Sequence, residues 1–289
     1  MVESIENYTI YALIVAGGKG LRMESTIRKQ YIKIEGIPLL ARTIGIFSSL
    51  DSISHIFVVV PEEDTDYCLE NIILPYDLSK KVCLVSGGSE RQQSVMNGLK
   101  KINEYDNPQI RDIIINKDRY RDGINKDINS INRDGYRDDL NKNRNTTNRI
   151  VLIHDGVRPF VDSKTINSTI EGALKYRACI PVIPVVDTLK LMDSNGFVDG
   201  IVDRTNLNQV QTPQAFELDL ILKAHEDAIL ANFFATDDAS LVERLGKKVF
   251  MTQGSKTNIK ITTQEDLLFA KYIYEISRHP ISNLMALTN

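Results

Sequence analysis

The chain has 289 residues, of which 42% are hydrophobic and 25% charged, a composition typical of a globular protein that buries a core. No stretch approaches the ~18 consecutive apolar residues of a membrane span, and the acidic N-terminus lacks the pattern of a secretory signal, so we expect a cytoplasmic protein. The net charge of −3 argues against nucleic acids and membranes as general partners.

Strand and helix patterns alternate along the N-terminal part of the chain. Residues 10–15 form a continuous apolar run that ends in glycines, which indicates a buried parallel strand. The helical spacing of apolar residues predicts a helix over 38–50, and further apolar runs predict strands over 56–60 and 82–85. A second helix is predicted over 91–102, where the apolar residues share one face.

Residues 103–149 differ in composition from the rest of the chain. Asn and Asp supply 18 of these 47 residues, Lys and Arg supply another 10, and the isoleucines keep no sustained period. Such a segment buries too little apolar surface to offset the entropy lost on ordering. We interpret it as a low-complexity surface insertion, mostly disordered; the alternative is a partner-binding arm that folds on contact.

The alternation resumes after this insertion. The apolar patterns predict a strand at 150–153, a helix at 164–176 and a strand at 180–186. Strands that alternate with helices predict an α/β fold, with a mostly parallel sheet and helices on both of its faces. Three further helices are predicted towards the C-terminus, over 218–232, 238–245 and 264–276.

Residues 187–204 break this rhythm and predict a β-hairpin arm. Leu189 and Leu191 alternate with polar residues, and the turn dipeptide Asn195-Gly196 follows them. Because an isolated hairpin is only marginally stable in water, we expect the arm to pack against another surface, such as a second subunit.

The first predicted strand runs into the sequence AGGKGLRM at residues 16–23. Glycine lets a backbone turn approach a ligand closely and direct its N–H groups at phosphate oxygens, and Arg22 and Lys29 add positive charge. Two common phosphate motifs fail on spacing: GxGxxG would require glycine at Met23, and a Walker loop would require Ser or Thr at Gly20. A phosphate-binding turn remains; the alternative is a purely structural turn between strand and helix.

The sequence HDGVRPF follows the strand predicted over 150–153. In an open parallel sheet, ligands bind outside the carboxyl ends of the strands, so Asp155 and the glycine turn are expected to meet at one edge. A carboxylate beside a triphosphate suits Mg²⁺, which prefers one or two carboxylates together with phosphate oxygens and water. The alternative is that Asp155 only caps the next turn.

Together these motifs resemble the 2-C-methyl-D-erythritol 4-phosphate cytidylyltransferases, which transfer CMP from CTP to that polyol phosphate in non-mevalonate isoprenoid synthesis. The resemblance covers nearly the whole chain outside 103–149. Its landmarks, in order, are AGGKGLRM (16–23), RKQY (28–31), GGSERQQSV (87–95), HDGVRPF (154–160), VVDTLK (185–190), VDR (202–204), QTPQAF (211–216), TDDASLVE (236–243) and NIKIT (258–262). It implies a single Rossmann-like nucleotidyltransferase domain over 8–278, interrupted by the insertion, and a homodimer joined through the hairpin arm.

The resemblance also implies roles for residues of these motifs, with CTP, a polyol phosphate and Mg²⁺ as ligands. Arg22, Lys29 and Lys260 would act in catalysis by neutralising charge on the phosphates, and Asp155 would bind Mg²⁺. The implied CTP contacts are Ala16, Gly17, Gly18, Gly20, Gly88, Ser89 and Ser94. The implied contacts of the second substrate are Arg158, Thr188, Arg204 and Thr212.

Three positions depart from the family's usual pattern. Ser89 stands where Asp is frequent, Arg28 stands where Pro usually precedes Lys-Gln, and Gly18 gives AGG in place of the commoner AAG. We expect the cytosine contact at Ser89 to run through the backbone and the stiffness of the segment at Arg28 to change. None of the three removes a charged catalytic position.

The chemistry of the reaction fits these residue types. A phosphate monoester carries about −1.5 to −2 charge at neutral pH and needs no general base to act as a nucleophile, but two anions must be brought together. Cations and Mg²⁺ that position the phosphates and stabilise their charge meet that need. Two alternatives stay open: a cytidylyltransferase for another polyol phosphate, such as ribitol 5-phosphate, and a non-catalytic nucleotide-binding scaffold.

Overall fold

The computed structural model describes residues 7–18, 27–78, 81–105 and 148–278. Its strands are β1 (Tyr8–Val15), β2 (Lys33–Ile34), β3 (Ile37–Pro38), β4 (His55–Val60), β5 (Val82–Ser86), β6 (Asn148–Asp155), β7 (Ala178–Pro184), β8 (Lys190–Met192), β9 (Val198–Ile201), β10 (Asn208–Val210), β11 (Gln214–Glu217) and β12 (Phe250–Gln253). Its α-helices are α1 (Leu39–Ser48), α2 (Thr65–Cys68), α3 (Arg91–Tyr105), α4 (Ser163–Tyr176), α5 (Leu218–Leu230), α6 (Asp238–Arg244) and α7 (Gln264–Arg278). None of the helices in these ranges is long and apolar enough to cross a membrane.

Eight strands of the described chain form one sheet. Its order is β10-β7-β11-β6-β1-β4-β5, and β12 also pairs with β7. The central pairs β6–β1, β1–β4 and β4–β5 are parallel, whereas β11 runs antiparallel to both β6 and β7. The predicted α/β fold with a mostly parallel sheet is therefore confirmed, and the central strands bring their carboxyl ends to one edge.

The central strands are apolar along their length because helices cover both faces of the sheet. On one face, Ile10 of β1 belongs to a buried cluster with Ile44 of α1. On the other face, Leu13 of β1 belongs to a second cluster with Leu99 of α3 and Ile221 of α5. Successive side chains of a strand point to opposite faces, so a strand buried on both sides shows no polar alternation.

Several predicted element boundaries are wrong by one to three residues, and two of them have a clear physical reason. The first helix begins at Leu39, because Pro38 still belongs to the small β2–β3 ladder, where it pairs with Lys33. The strand predicted over 180–186 is β7, which lies two residues earlier in the sequence. It begins directly after Arg177, where the chain leaves α4 in a left-handed conformation with φ of 70°.

The edges of the predicted insertion belong to the folded domain. Residues 103–105 form the end of α3, and Asn148 and Arg149 open β6. Arg149 Nη1 donates a hydrogen bond to Asn103 Oδ1 at 3.2 Å, which brings the two edges together. These edge residues were wrongly assigned to the insertion; residues 106–147 lie outside the described residues, and their disorder stays a prediction.

Strands β8 and β9 form an antiparallel pair of their own, separate from the large sheet. The turn between them contains Gly196 at φ of +87°, a conformation that favours glycine. The apolar side chains of the pair face outwards: Met192 is 76% exposed, Phe197 72% and Ile201 69%. The hairpin predicted over 187–204 thus presents an apolar surface that the described part of its own chain leaves uncovered.

Candidate active site

The loops that follow the parallel strands meet at one edge of the sheet. Gly156 N donates to Val15 O at 2.9 Å, which ties the loop after β6 to the end of β1. Ala16 N, at the start of the glycine turn, donates to Val59 O of β4 at 2.8 Å. The glycine turn and the loop that carries Asp155 are therefore neighbours, as the sequence predicts.

Glycines allow these loops to approach closely. A Cβ atom at Gly17 would lie 3.2 Å from Ser94 Oγ, and a Cβ atom at Gly87 would lie 3.2 Å from the same oxygen. Gly88 N donates to Ser94 Oγ at 3.0 Å. The buried Ser94, near the start of α3, thus lies between the glycine turn and the loop after β5, so the predicted CTP contacts of these two loops are neighbours.

The segment that carries Lys29 lies against the glycine turn. Gln30 is buried, and its Nε2 donates to Ala16 O at 2.8 Å. Lys29 Cε lies 3.7 Å from the position that a Cβ atom would take on Gly18. The lysine side chain therefore extends along the predicted phosphate-binding turn. Two predicted site residues of the same turn, Gly20 and Arg22, lie outside the described residues.

Asp155 lies at the carboxyl end of β6 among three cations, and we call these four residues the Asp155 cluster. Its carboxylate is 3.1 Å from Lys260 Nζ, 3.2 Å from Arg158 Nε and 3.8 Å from Arg91 Nε. Burial by itself would raise the pKa of Asp155, but the charges of Lys260, Arg91 and Arg158 outweigh burial and hold that pKa well below its usual range. Asp155 is therefore ionised at neutral pH, and its single negative charge is outnumbered by the three cations around it.

The NIKIT loop is anchored beside this cluster through a buried asparagine. Arg158 Nη1 donates to Asn258 O at 2.8 Å, and Asn258 Nδ2 donates to Thr212 O at 2.8 Å. Lys260 follows two residues later and reaches Asp155. The loops that carry predicted site residues 158, 212 and 260 are thus connected by hydrogen bonds.

Thr212 directs its hydroxyl group inwards, beneath Asp155. Asp155 N donates to Thr212 Oγ1 at 3.1 Å, and His154 Nδ1 lies 3.1 Å from the same oxygen. His154 Nε2 is 3.1 Å from Arg158 O, and burial lowers the pKa of His154 to about 4, so the ring is neutral at pH 7. Thr212 and His154 therefore position Asp155 and Arg158 from behind, and a direct contact of Thr212 with substrate stays a prediction.

Three other predicted contacts, Ser89, Thr188 and Arg204, lie apart from the Asp155 cluster in their hydrogen bonding. Ser89 N and Oγ each donate to Gln93 Oε1 at 3.0 Å, so the side chain turns towards α3. Thr188 is exposed at the base of the arm, and Arg204 Nη1 donates there to Val186 O. In the part of the chain that the structure describes, neither Thr188 nor Arg204 forms a hydrogen bond or ion pair with the Asp155 cluster.

Sequence reasoning missed the network behind Arg91. Arg91 Nη2 donates to Asp238 Oδ2 at 2.7 Å, and His225 Nε2 lies 3.1 Å from Asp238 Oδ1. Burial would raise the pKa of Asp238, but Arg91 and His225 lower it to about 2. The N-terminal cap of α6 is the neighbouring Asp237, whose side chain accepts from Ser240 N, so Asp238 itself is left for the contact with Arg91. Arg91 connects the buried carboxylate of Asp238 to Asp155.

This arrangement suits a polyanion together with one divalent cation. Backbone N–H groups of a glycine turn and several cations favour phosphate oxygens. Within the described ranges, no group of three or more His, Cys, Asp or Glu residues is placed to hold a metal ion. Asp155 offers one ionised carboxylate, which fits Mg²⁺ because this ion takes its other ligands from phosphates and water.

Known proteins share these sequence features. The family model described as "IspD: 2-C-methyl-D-erythritol 4-phosphate cytidylyltransferase" matches residues 10–120 and 139–276, and its interruption falls inside the predicted insertion. A protein named 2-C-methyl-D-erythritol 4-phosphate cytidylyltransferase from Clostridium beijerinckii is 39% identical over 263 residues, which cover 91% of this chain and 97% of the relative. A protein of the same name from Geobacillus thermodenitrificans is 39% identical over 263 residues, which cover 91% of this chain and 95% of the relative.

Solved structures share the fold. The 4-diphosphocytidyl-2C-methyl-D-erythritol synthase of Anaerococcus prevotii superposes with a TM-score of 0.69 at 29% identity, covering 94% of this chain and 98% of that chain. The 2-C-methyl-D-erythritol 4-phosphate cytidylyltransferase of Thermus thermophilus superposes with a TM-score of 0.63 at 25% identity, covering 92% of this chain and 98% of that chain. The likeness thus spans almost the full length of both neighbours.

Proposed function

The chain belongs to the 2-C-methyl-D-erythritol 4-phosphate cytidylyltransferase family, and from this premise we propose how its residues carry out the reaction. It is a nucleotidyltransferase that transfers CMP from CTP to 2-C-methyl-D-erythritol 4-phosphate, a step of non-mevalonate isoprenoid synthesis. The observation that supports its mechanism best is the Asp155 cluster, which lies beside the glycine turn.

The reaction joins two anions without a general base. An oxygen of the polyol phosphate attacks the α-phosphorus of CTP, the bond from that phosphorus to the bridging oxygen of the β-phosphate breaks, and pyrophosphate leaves. The attacking oxygen already carries charge at neutral pH. The task of the protein is therefore to hold both phosphates in line and to offset their repulsion.

The cations at the sheet edge meet this task. Lys29, along the glycine turn, and Arg22 stabilise charge on the phosphates of CTP, while backbone N–H groups of the turn cradle them. Lys260 and Arg158 share Asp155. In this proposal the two cations bind the second phosphate. The remaining proposed contacts are Gly88, Ser89 and Ser94 for cytosine, and Thr188, Arg204 and Thr212 for the polyol phosphate.

We assign Mg²⁺ to Asp155, the ionised carboxylate at this edge. When bound, the ion would neutralise charge on the phosphates and hold them in register. Asp155 also sets the positions of Lys260, Arg158 and Arg91 around itself. The residue therefore has two tasks in this proposal: it holds the ion and it arranges the cations.

The enzyme acts as a cytoplasmic homodimer in this proposal, joined through the hairpin arm. The support is the exposed apolar surface of β8 and β9, including Phe197 and Ile201, which would be covered by a second subunit. Thr188 and Arg204, at the base of the arm, would then act at the site of the neighbouring subunit.

A substrate panel tests the function directly. Purified protein is incubated with CTP, Mg²⁺ and either 2-C-methyl-D-erythritol 4-phosphate or ribitol 5-phosphate, and pyrophosphate release is measured. The methylerythritol substrate should give the higher kcat/KM. Faster turnover of ribitol 5-phosphate would contradict the proposed substrate, and no release with either would favour a non-catalytic scaffold.

A further inference from the structure

Arg28, directly before Lys29, is fixed by two carboxylates of the neighbouring loop. Its Nη2 atom is 2.6 Å from Glu63 Oε1, and its Nε atom is 3.0 Å from Asp64 Oδ2. Asp64 also accepts a hydrogen bond from Tyr31 Oη at 3.0 Å. We call Arg28, Glu63 and Asp64 the Arg28 clamp. Its carboxylates contact both ends of the segment 28–31 that carries Lys29, because they bind Arg28 at one end and Tyr31 at the other.

The partner carboxylates follow directly after a strand of the central sheet. Glu63 and Asp64 lie in the turn that follows β4, and Asp64 N donates to Pro61 O at 2.9 Å. Residues 56–60 of the preceding strand are buried, and Val59 O accepts a hydrogen bond from the glycine turn. The Arg28 clamp therefore connects the lysine segment to the same strand that supports the turn.

The lysine segment is also anchored on its inner side. Tyr31 N donates to Arg28 O at 2.9 Å and closes a 3-10 turn over Lys29–Tyr31. Gln30 Nε2 donates to Ala16 O at 2.8 Å, and Lys29 extends to within 3.7 Å of the Cβ position on Gly18. Lys29 is thus held between an outer anchor, the clamp, and an inner anchor, Gln30.

We propose that Arg28 is a positioning residue for Lys29, which it holds along the glycine turn through the ion pairs with Glu63 and Asp64. The inference rests on the catalytic role of Lys29 in the proposed function. Arg28 is suited to this positioning role because its planar guanidinium binds two carboxylates at once through different nitrogens. A lysine ammonium would not hold the two carboxylates in a fixed geometry.

The clamp acts on geometry more than on stability. Ion pairs with exposed partners contribute little to the free energy of unfolding, and Glu63 is 63% exposed at its side chain. Catalytic groups, in contrast, lose much of their effect when they are displaced by about 1 Å. Loss of the clamp should therefore reduce kcat while the protein stays folded.

A double-mutant cycle on kcat tests whether Arg28 acts through Lys29. Lys29→Ala should lower kcat on the order of 10²-fold or more, as loss of one aimed charge does. Arg28→Ala should lower kcat by about tenfold, with KM for CTP changed by less than about threefold. The double variant should be no slower than Lys29→Ala alone, because the clamp has nothing left to position.

Three further variants supply the controls. Arg28→Lys should recover only part of the activity lost in Arg28→Ala, and Glu63→Gln combined with Asp64→Asn should reproduce the loss from the other side of the clamp. Arg177→Ala removes an exposed ion pair with Glu217 away from the active site and should leave kcat unchanged. Thermal melting should show all these proteins folded at the assay temperature.

The outcomes separate this inference from the proposed function. If Lys29→Ala keeps full activity, the assigned role of Lys29 is wrong. If Lys29→Ala is impaired but Arg28→Ala matches wild type, or the two effects multiply in the double variant, Arg28 does not act through Lys29. If Arg28→Lys is as active as wild type, the two-carboxylate geometry is not required and the clamp is refuted.

Discussion

Replacing Arg91 with methionine perturbs the buried network behind the Asp155 cluster. Asp238 is 1% exposed at its side chain and keeps its charge through Arg91 Nη2 at 2.7 Å and His225 Nε2 at 3.1 Å. Arg91→Met leaves this carboxylate without its main partner, and breaking a buried pair from one side costs about 3–5 kcal/mol. For a domain of this size the loss corresponds to a fall in Tm of roughly 6–20 °C.

Removing the buried charge as well should restore much of this stability. In Arg91→Met combined with Asp238→Asn no buried carboxylate is left unpaired, so we expect a net loss of only about 1–2 kcal/mol. Arg177→Ala, which removes an exposed ion pair, should cost less than about 1 kcal/mol. Urea unfolding followed by circular dichroism measures all three. A loss in Arg91→Met no larger than that in Arg177→Ala would refute the reasoning.

The same network determines how the stability of the folded protein changes as the pH falls. The folded-state pKa of Asp238 is lowered from 3.8 to about 2, so its stabilising contribution is fully present above pH 3.8 and is lost as the pH falls towards 2. The shift is equivalent to about 2–3 kcal/mol. The stability advantage of wild type over Asp238→Asn should therefore shrink over this window, and an advantage that stays constant down to pH 2 would contradict the lowered pKa.

Three other predictions concern the active site, the insertion and the arm. Asp155→Asn should lower turnover on the order of 10²–10³-fold and raise the Mg²⁺ concentration needed for half-maximal rate, measured by Mg²⁺ titration; an unchanged rate would remove Asp155 from the site. A short Gly-Ser linker in place of residues 106–147 should leave kcat and Tm unchanged, because Arg149 Nη1 and Asn103 Oδ1 already meet at 3.2 Å; loss of activity would show that the segment is more than a surface insertion. Phe197→Asp should convert a dimer to monomers in analytical ultracentrifugation, and a monomeric wild type would contradict the proposed homodimer.

The sequence predicts the parallel centre of the sheet well because those strands are buried on both faces. β1, β4 and β6 each read as continuous apolar runs, a pattern that needs no knowledge of their partners. The short strand β11 is not predicted from its sequence, because it begins with the polar Gln214 and contains no continuous apolar run. That residue is buried only because Asp237 and the backbone N–H of Asp238 satisfy its amide group.

Local sequence patterns point to proposed site residues next to strand ends, and they miss residues that are connected to the site through contacts distant in the sequence. Asp155 and the glycine turn are found from the sequence because each directly follows a predicted strand. Arg91 meets Asp238 across a sequence separation of 147 residues, and no local periodicity encodes that contact. Thr212 is the opposite case. Its motif is evident in the sequence, but the sequence does not show that its hydroxyl group points inwards to His154.

The charges at the active-site edge fall into two groups with different consequences. The chain is acidic overall, with a net charge of −3, yet Lys260 and Arg158 share the single carboxylate of Asp155 and keep positive charge in excess at the proposed substrate site. Arg28 is instead matched by Glu63 and Asp64, so it adds little field at the site. Salt should therefore weaken substrate binding less in Lys260→Gln than in wild type, whereas Arg28→Ala combined with Glu63→Gln removes one charge of each sign and should keep the wild-type salt dependence of KM. Equal salt dependence in all three proteins would show that the excess charge at Asp155 does not attract the substrates.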